Sequence, residues 1–176
     1  MIVLIFTSCV SQYKVVVDFS PELRDHFVEY PTIEVDIAAV TDDEADEVKQ
    51  MGVEQYFAPG SGTREQLQVQ TCLFYRDARY TFVLPSRAPI WQTWRLKDPT
   101  TLLVIASLPH DPSMSAQADP RLLAITMKRS YILARSMYVW VEPTRITQVA
   151  RSSGGRESAA GASPASAQWV ETREIR

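Results

Sequence analysis

Thr32-Ile33-Glu34-Val35-Asp36-Ile37-Ala38-Ala39-Val40 is the stretch whose reading decides the fold. Ile33, Val35 and Ile37 fall on one side of an extended chain, and Glu34, Asp36 and Ala38 on the other. A period of two carried by β-branched residues predicts a strand with one buried face. Thr41 follows, with Glu44 three residues later, the spacing at which a threonine hydroxyl and a glutamate carboxylate satisfy each other's backbone N–H groups. Asp42, Asp43 and Glu44 also suit the positive end of a helix dipole. The spacing predicts a helix over Asp42–Met51 with Ala45, Val48 and Met51 turned inward, ended by a left-handed cap at Gly52. The acidic run reads as a solvated face.

Upstream, Tyr13, Val15, Val17 and Phe19 alternate with Lys14, Val16 and Asp18, which predicts a second strand, stopped at Ser20-Pro21 because proline removes a ladder donor. Ser20–Pro31 is then a long excursion, read either as a functional loop or as a short helical turn covering the core with Phe27. Downstream, Ala58-Pro59-Gly60-Ser61-Gly62 is a turn signal. It lacks the Lys-Ser/Thr of a phosphate cradle, and no helical pattern is read after it. Leu67, Val69, Thr71, Leu73 and Tyr75 alternate as one strand face, Arg76–Arg79 reads as a hairpin turn, and Tyr80, Phe82 and Leu84 alternate back. Thr101–Leu108 is apolar throughout and reads as a strand buried on both faces. Leu123, Ile125 and Met127, then Met137, Val139 and Val141, mark two more strands, and Ile146 with Val149 a last edge segment.

The seven or so strands, one acidic helix and turn signals between them predict an all-β fold, an antiparallel two-sheet β-sandwich with short helical insertions. Trp91 and Trp94 lie one helical turn apart. They read as a plug closing one end of the sandwich, given the apolar area an indole must hide. With Trp140 they form the alternative reading, a periplasmic carbohydrate- or peptide-binding module that stacks sugars on exposed rings.

The chemistry of an enzyme is hard to find. Net charge is −3 with no basic block, which argues against nucleic acid as a partner. His110, Asp111 and Asp119 share one polar loop, and His26 stands apart; two isolated histidines make a weak site. No catalytic residue, metal or cofactor is expected. Cys72 lies within a strand pattern and reads as a buried thiol. No apolar stretch approaches the ~20 residues of a membrane-spanning helix.

Membrane attachment is expected instead through Phe6-Thr7-Ser8-Cys9, an apolar run ending in two small residues and a cysteine. That order suits a lipoprotein signal, cut before the cysteine, whose sulfur and new amino group then carry acyl chains. Residues 1–8 would be the signal, truncated because it lacks a basic n-region. Residues 9–150 would be the sandwich. Residues 151–176 would be a disordered tail, since Arg151–Gln168 is mostly Ser, Ala, Gly and Arg. Trp169-Val170 within it reads as a short docking peptide or a frayed end.

The order of these features resembles the TssJ family, outer-membrane lipoproteins of type VI secretion systems. The resemblance is carried by Cys9 close before the first strand (Tyr13–Phe19), the loop after it, the strand ending in acidic residues (Ile33–Asp43), the short helix, and the aromatic pair Tyr56-Phe57. It implies a transthyretin-like sandwich, lipid-anchored at the periplasmic face of the outer membrane. It also implies a partner: the periplasmic domain of a TssM-like inner-membrane secretion protein. In that family the loop after the first strand takes part in the contact, which here means Glu22, Leu23, Arg24, His26, Phe27 and Tyr30. Val10 after the cysteine favours the outer membrane by the same resemblance.

Overall fold

The computed structural model describes residues 13–26, 32–75, 80–109, 119–127 and 135–150, excepting the side chains of Arg24, Asp25 and Arg135. Among them are eight strands and five helices. In chain order they are β1 (Tyr13–Phe19), α1 (Pro21–His26), β2 (Ile33–Val40), α2 (Asp42–Met51), α3 (Val53–Tyr56), α4 (Gly62–Gln66), β3 (Gln70–Phe74), β4 (Thr81–Leu84), α5 (Ile90–Arg95), β5 (Thr101–Ala106), β6 (Leu122–Thr126), β7 (Arg135–Val141) and β8 (Ile146–Val149). They form two four-stranded sheets, ordered β4-β1-β7-β8 and β3-β2-β5-β6. The result is the two-sheet sandwich expected from the alternation. Its ladders are antiparallel apart from β1 and β7, which run parallel with Val15 beside Met137 and Val17 beside Val139.

The core between the sheets is supplied by the alternating residues. Tyr13, Val15, Val17 and Phe19 of β1 face Ile33, Val35 and Ile37 of β2, with Leu102 and Val104 of β5 and Met137, Val139 and Val141 of β7. α5 closes one end. Trp91 and Trp94 are both buried with rings 5.0 Å apart in an edge-on pair. Each indole N–H finds an acceptor: Trp91 donates to the Pro85 carbonyl at 3.0 Å and Trp94 to the Gln68 carbonyl at 2.9 Å. A buried indole without such a partner would be costly. Gln68 presents that carbonyl from a left-handed backbone, φ 54°.

A second core lies outside the first. Ala38 and Val40 of β2 and Leu103 and Ile105 of β5 point away from the inter-sheet core and are buried by Ala45, Val48, Val53, Tyr56 and Leu67 from the helical segment. That is why β5 is apolar at every position after Thr101: both its faces are covered. The capping box at Thr41 and Glu44 forms as the sequence predicts, with Thr41 N–H donating to the Glu44 carboxylate at 3.0 Å and Glu44 N–H to the Thr41 hydroxyl at 3.3 Å. Gly52 ends α2, its N–H donating to the Val48 carbonyl at 3.1 Å. Its backbone, φ 82° and ψ 159°, is extended rather than left-handed helical, a region open only to glycine.

Three sequence expectations are corrected. Over β3, Cys72 and Phe74 face the core while Leu73 and Tyr75 are exposed, the opposite phase to the one read from Leu67–Tyr75. Residues 62–66 are helical, so alternation starts only at Gln70, and a one-residue change of phase swaps the faces. For the same reason a helix does begin after the Gly60–Gly62 turn. β3 and β4 do not form a hairpin: β3 pairs with β2 and β4 pairs with β1, so the chain changes sheets between them. Residues 76–79, the proposed hairpin turn, lie outside the described residues, as do residues 1–12 and 151–176.

Candidate partner-binding surface

β1 runs between two ends of the sandwich. At its start, Tyr13 packs against Trp91 of the α5 cap, ring centroids 6.3 Å apart. Cys9, the proposed acylation site, precedes Tyr13 by four residues and lies outside the described residues.

At its far end, Ser20 N–H donates to the Val141 carbonyl at 3.0 Å, and the Ser20 hydroxyl accepts from Leu23 N–H at 3.0 Å. Serine at the N-cap with Pro21 at the first helical position is a helix-start signal, so Ser20-Pro21 both ends β1 and opens α1. Leu23 is fully buried and pins α1 to the core, the covering role the sequence offered to Phe27. It therefore has no surface to offer a partner, whereas Glu22 and His26 are exposed. Phe27 and Tyr30 lie outside the described residues, as does the side chain of Arg24.

Aromatic side chains gather beside α1. Phe19 lies 4.7 Å from Phe74 and 5.8 Å from Tyr80, centroid to centroid. Tyr80 is 37% exposed and Tyr75 48% exposed. The pairing register brings β3's end and β4's start to this end, a convergence that spacing in the sequence does not reveal. Alternation alone marks Tyr75 and Tyr80 as ordinary strand residues. Arg121 borders the same end, nearly buried and held by Asp119 at 2.6 Å and Glu54 at 2.7 Å. Hydrogen bonding from Arg121 holds the Glu54 carboxyl below its usual range, and the bonds that Arg121 donates to Asp119 and Glu54 raise its guanidinium.

The buried ionisable cluster sits elsewhere and is closed on itself. Asp36, on the helix-covered face of β2, accepts from Tyr56 Oη at 3.0 Å, Thr71 Oγ1 at 2.6 Å and Arg64 Nε at 2.7 Å. Arg64 also pairs with Glu34 and lies over the Phe57 ring, 5.0 Å from its centroid. Burial, then the Asp36 charge, pushes the Tyr56 hydroxyl well above its usual range, so it is fixed as a donor. The same two causes raise the Cys72 thiol, leaving it unsuited to nucleophilic attack. Burial alone would lower the Arg64 guanidinium, but its bonds to Asp36 and Glu34 outweigh that and raise it. Tyr56 and Arg64 fasten α3 and α4 to β2, and Thr71 ties in β3.

Other small-molecule chemistry finds little footing. Asp119 is engaged by Arg121, and His110 and Asp111 lie outside the described residues. No group of three His, Cys, Asp or Glu among the described residues is arranged to hold a metal ion. A groove of about 510 Å³ between β6 and β7 is lined by Tyr13, Ile125, Met137 and Gln148, among uncharged neighbours. Of the three indoles in the carbohydrate reading, Trp91 and Trp94 are buried and only Trp140 is exposed. A stacking platform therefore lacks two of its rings.

No protein-family model and no curated protein sequence matches the chain. Solved structures do. The T6SS lipoprotein TssJ1 from Pseudomonas aeruginosa superposes with a TM-score of 0.51 at 10% identity, over 81% of this chain and 98% of that one. Serratia marcescens Lip, a membrane-bound component of the type VI secretion system, gives 0.49 at 10% identity over 81% and 99%. A chain of a type VI membrane complex gives 0.47 at 10% identity over 80% and 99%. The chain has a TssJ-like fold. The sandwich puts α1, Tyr75 and Tyr80 at one end and the α5 cap, next to Tyr13 at the start of β1, at the other.

Proposed function

We propose that this chain is a lipoprotein subunit of a type VI secretion membrane complex: a structural anchor fastened to the periplasmic face of the outer membrane through acylated Cys9. In this reading it holds the periplasmic domain of a TssM-like inner-membrane protein at the end of the sandwich away from the lipid. The role is structural rather than catalytic. The observation that carries the reading is the TssJ-like fold, matched to a T6SS lipoprotein over nearly all of that protein's length.

The arrangement of the ends supports it. Seven residues of β1 separate the tethered start from the α1 end, roughly 20 Å at strand rise. A protein held at one end and reaching with the other is suited to bridging a membrane and a partner. At the reaching end Glu22 and His26 are exposed on α1, and Tyr75 and Tyr80 are partly exposed where β3 ends and β4 begins. Partly exposed tyrosines supply contact area at low entropic cost, which is why they are enriched at interfaces.

Fractionation tests the anchor. Cys9→Ala moves the protein from the membrane to the soluble fraction with its thermal unfolding unchanged; an unchanged fractionation contradicts the reading. Co-purification tests the partner end. Tyr80→Ala with His26→Ala reduces recovery of the TssM-like periplasmic domain by tenfold or more while membrane attachment persists, and full recovery would place the contact elsewhere.

A further inference from the structure

The α5 cap has an outward face that the fold does not use. Trp91 and Trp94 point into the core, so at about 100° per residue Pro89, Gln92 and Leu96 fall on the opposite side. All three are exposed, and Leu96 is 88% exposed, far more than any other large apolar side chain among the described residues. The stretch Pro85–Lys97, PSRAPIWQTWRLK, contains Arg87, Arg95 and Lys97, and its first acidic residue is the exposed Asp98 that follows it. Lys97 is taken up by Glu44 at 2.8 Å and the Gln66 carbonyl at 3.3 Å. Arg87 is exposed, and Arg95 keeps a buried Nε with no hydrogen-bond partner among the described residues. The acidic start of α2 is nearby but partly occupied: Asp42 accepts from Thr100 and Thr101, and Glu44 from Lys97.

The location of this face identifies what it meets. Trp91 touches Tyr13, the first residue of β1, and Cys9 lies four residues earlier, a reach of at most about 14 Å even when fully extended. We infer that the α5 cap rests on the phospholipid surface, with Leu96 entering the interface and Arg87 and Arg95 at the headgroups. This rests on the anchoring proposed above. Acyl chains on Cys9 bring the bilayer to this end of the sandwich, and an exposed leucine between cationic side chains matches a boundary that is apolar below and anionic above. The contact orients the sandwich so that α1, Tyr75 and Tyr80 face away from the membrane.

The test uses the full acylated chain in vesicles of phosphatidylethanolamine and phosphatidylglycerol. A polarity-sensitive fluorophore is attached at Leu96→Cys or, as a control at the other end, at Tyr75→Cys. Cys72 is buried and does not compete for label. Lipid-borne nitroxide quenchers are expected to quench the probe at 96 several-fold more than the probe at 75. Protein that floats with the vesicles while both probes remain equally unquenched overturns this inference and leaves the anchor standing. A blue-shifted but unquenched probe at 96 also overturns it, assigning the face to a protein. Protein that does not float with the vesicles overturns the anchor and this inference together.

Discussion

The outer face of the β3-β2-β5-β6 sheet is roofed by α2, α3 and α4, whereas the outer face of the β4-β1-β7-β8 sheet is bare among the described residues. Under the roof lie Ala38, Val40, Leu103 and Ile105, together with Asp36 and its closed set of donors. On the bare face the register aligns Val83, Val16, Tyr138 and Val149 in one row across four strands, with Thr81, Asp18, Trp140 and Thr147 in the next. The roofed face carries stability. The bare face alternates apolar with polar rows and stays partly wet: Trp140 is 40% exposed and Val83 43%. A sheet can thus share a core on one side while its other side is either a second core or a surface, and the strand sequences show which. β5 is TLLVIA, apolar at five of six positions, whereas β1 is YKVVVDF, with Lys14 and Asp18 turned out.

Mutations should separate the faces sharply. Leu103→Ala, under the roof and fully buried, is expected to destabilise by about 3–4 kcal/mol in urea unfolding through lost burial and the cavity left behind. A loss under 1 kcal/mol would mean that the roof does not pack as described. Asp36→Ala should cost about 2–3 kcal/mol, below the range for a fully buried pair because the Arg64 side chain is 26% exposed. Pairing it with Arg64→Met should recover part of that loss, since the half-paired guanidinium is then gone while the Tyr56 and Thr71 hydroxyls still lack their acceptor. No recovery would show that the cluster acts through shape rather than charge.

Smaller effects sharpen the contrast. Thr41→Ala, removing the cap of the first roof helix, should cost about 1 kcal/mol. Burial alone would raise the Glu44 carboxyl, but the bonds from Lys97 and Thr41 and the Lys97 charge outweigh it and hold Glu44 below its ordinary 4.5. A depressed carboxyl contributes stability above its unfolded value and loses it as pH falls through the folded one. The stability gap between the native chain and Glu44→Gln should therefore be full at pH 7 and close as the pH falls below 4.5 and through the depressed folded value. A gap that persists at pH 2 would remove the ionic part of the explanation. Val83→Thr, on the bare face, should change stability by less than about 0.5 kcal/mol.

Local chemistry made much of this legible. The capping box, the bounds of α2, the β1 alternation and the tryptophan plug follow from neighbours within a few residues. Long-range pairing hid the rest. Asp36 reads as a solvent-facing strand residue because its partner Arg64 lies far along the chain, and nothing near either announces the other. The phase of β3 is hidden because Leu67 and Val69 extend an alternation that the chain breaks at α4. At the reaching end the loop was legible as a place but not as a surface. Leu23 turned out to be core, while Tyr75 and Tyr80 reach the rim only because β3 and β4 end there in different sheets.

The proposed anchoring rests on a modification at one sulfur, and intact mass spectrometry of the protein extracted from native membranes measures it directly. The expected mass is that of a chain beginning at Cys9 and carrying acyl groups on that residue. A chain that still carries the residues before Cys9, joined to a free thiol there, would contradict the account.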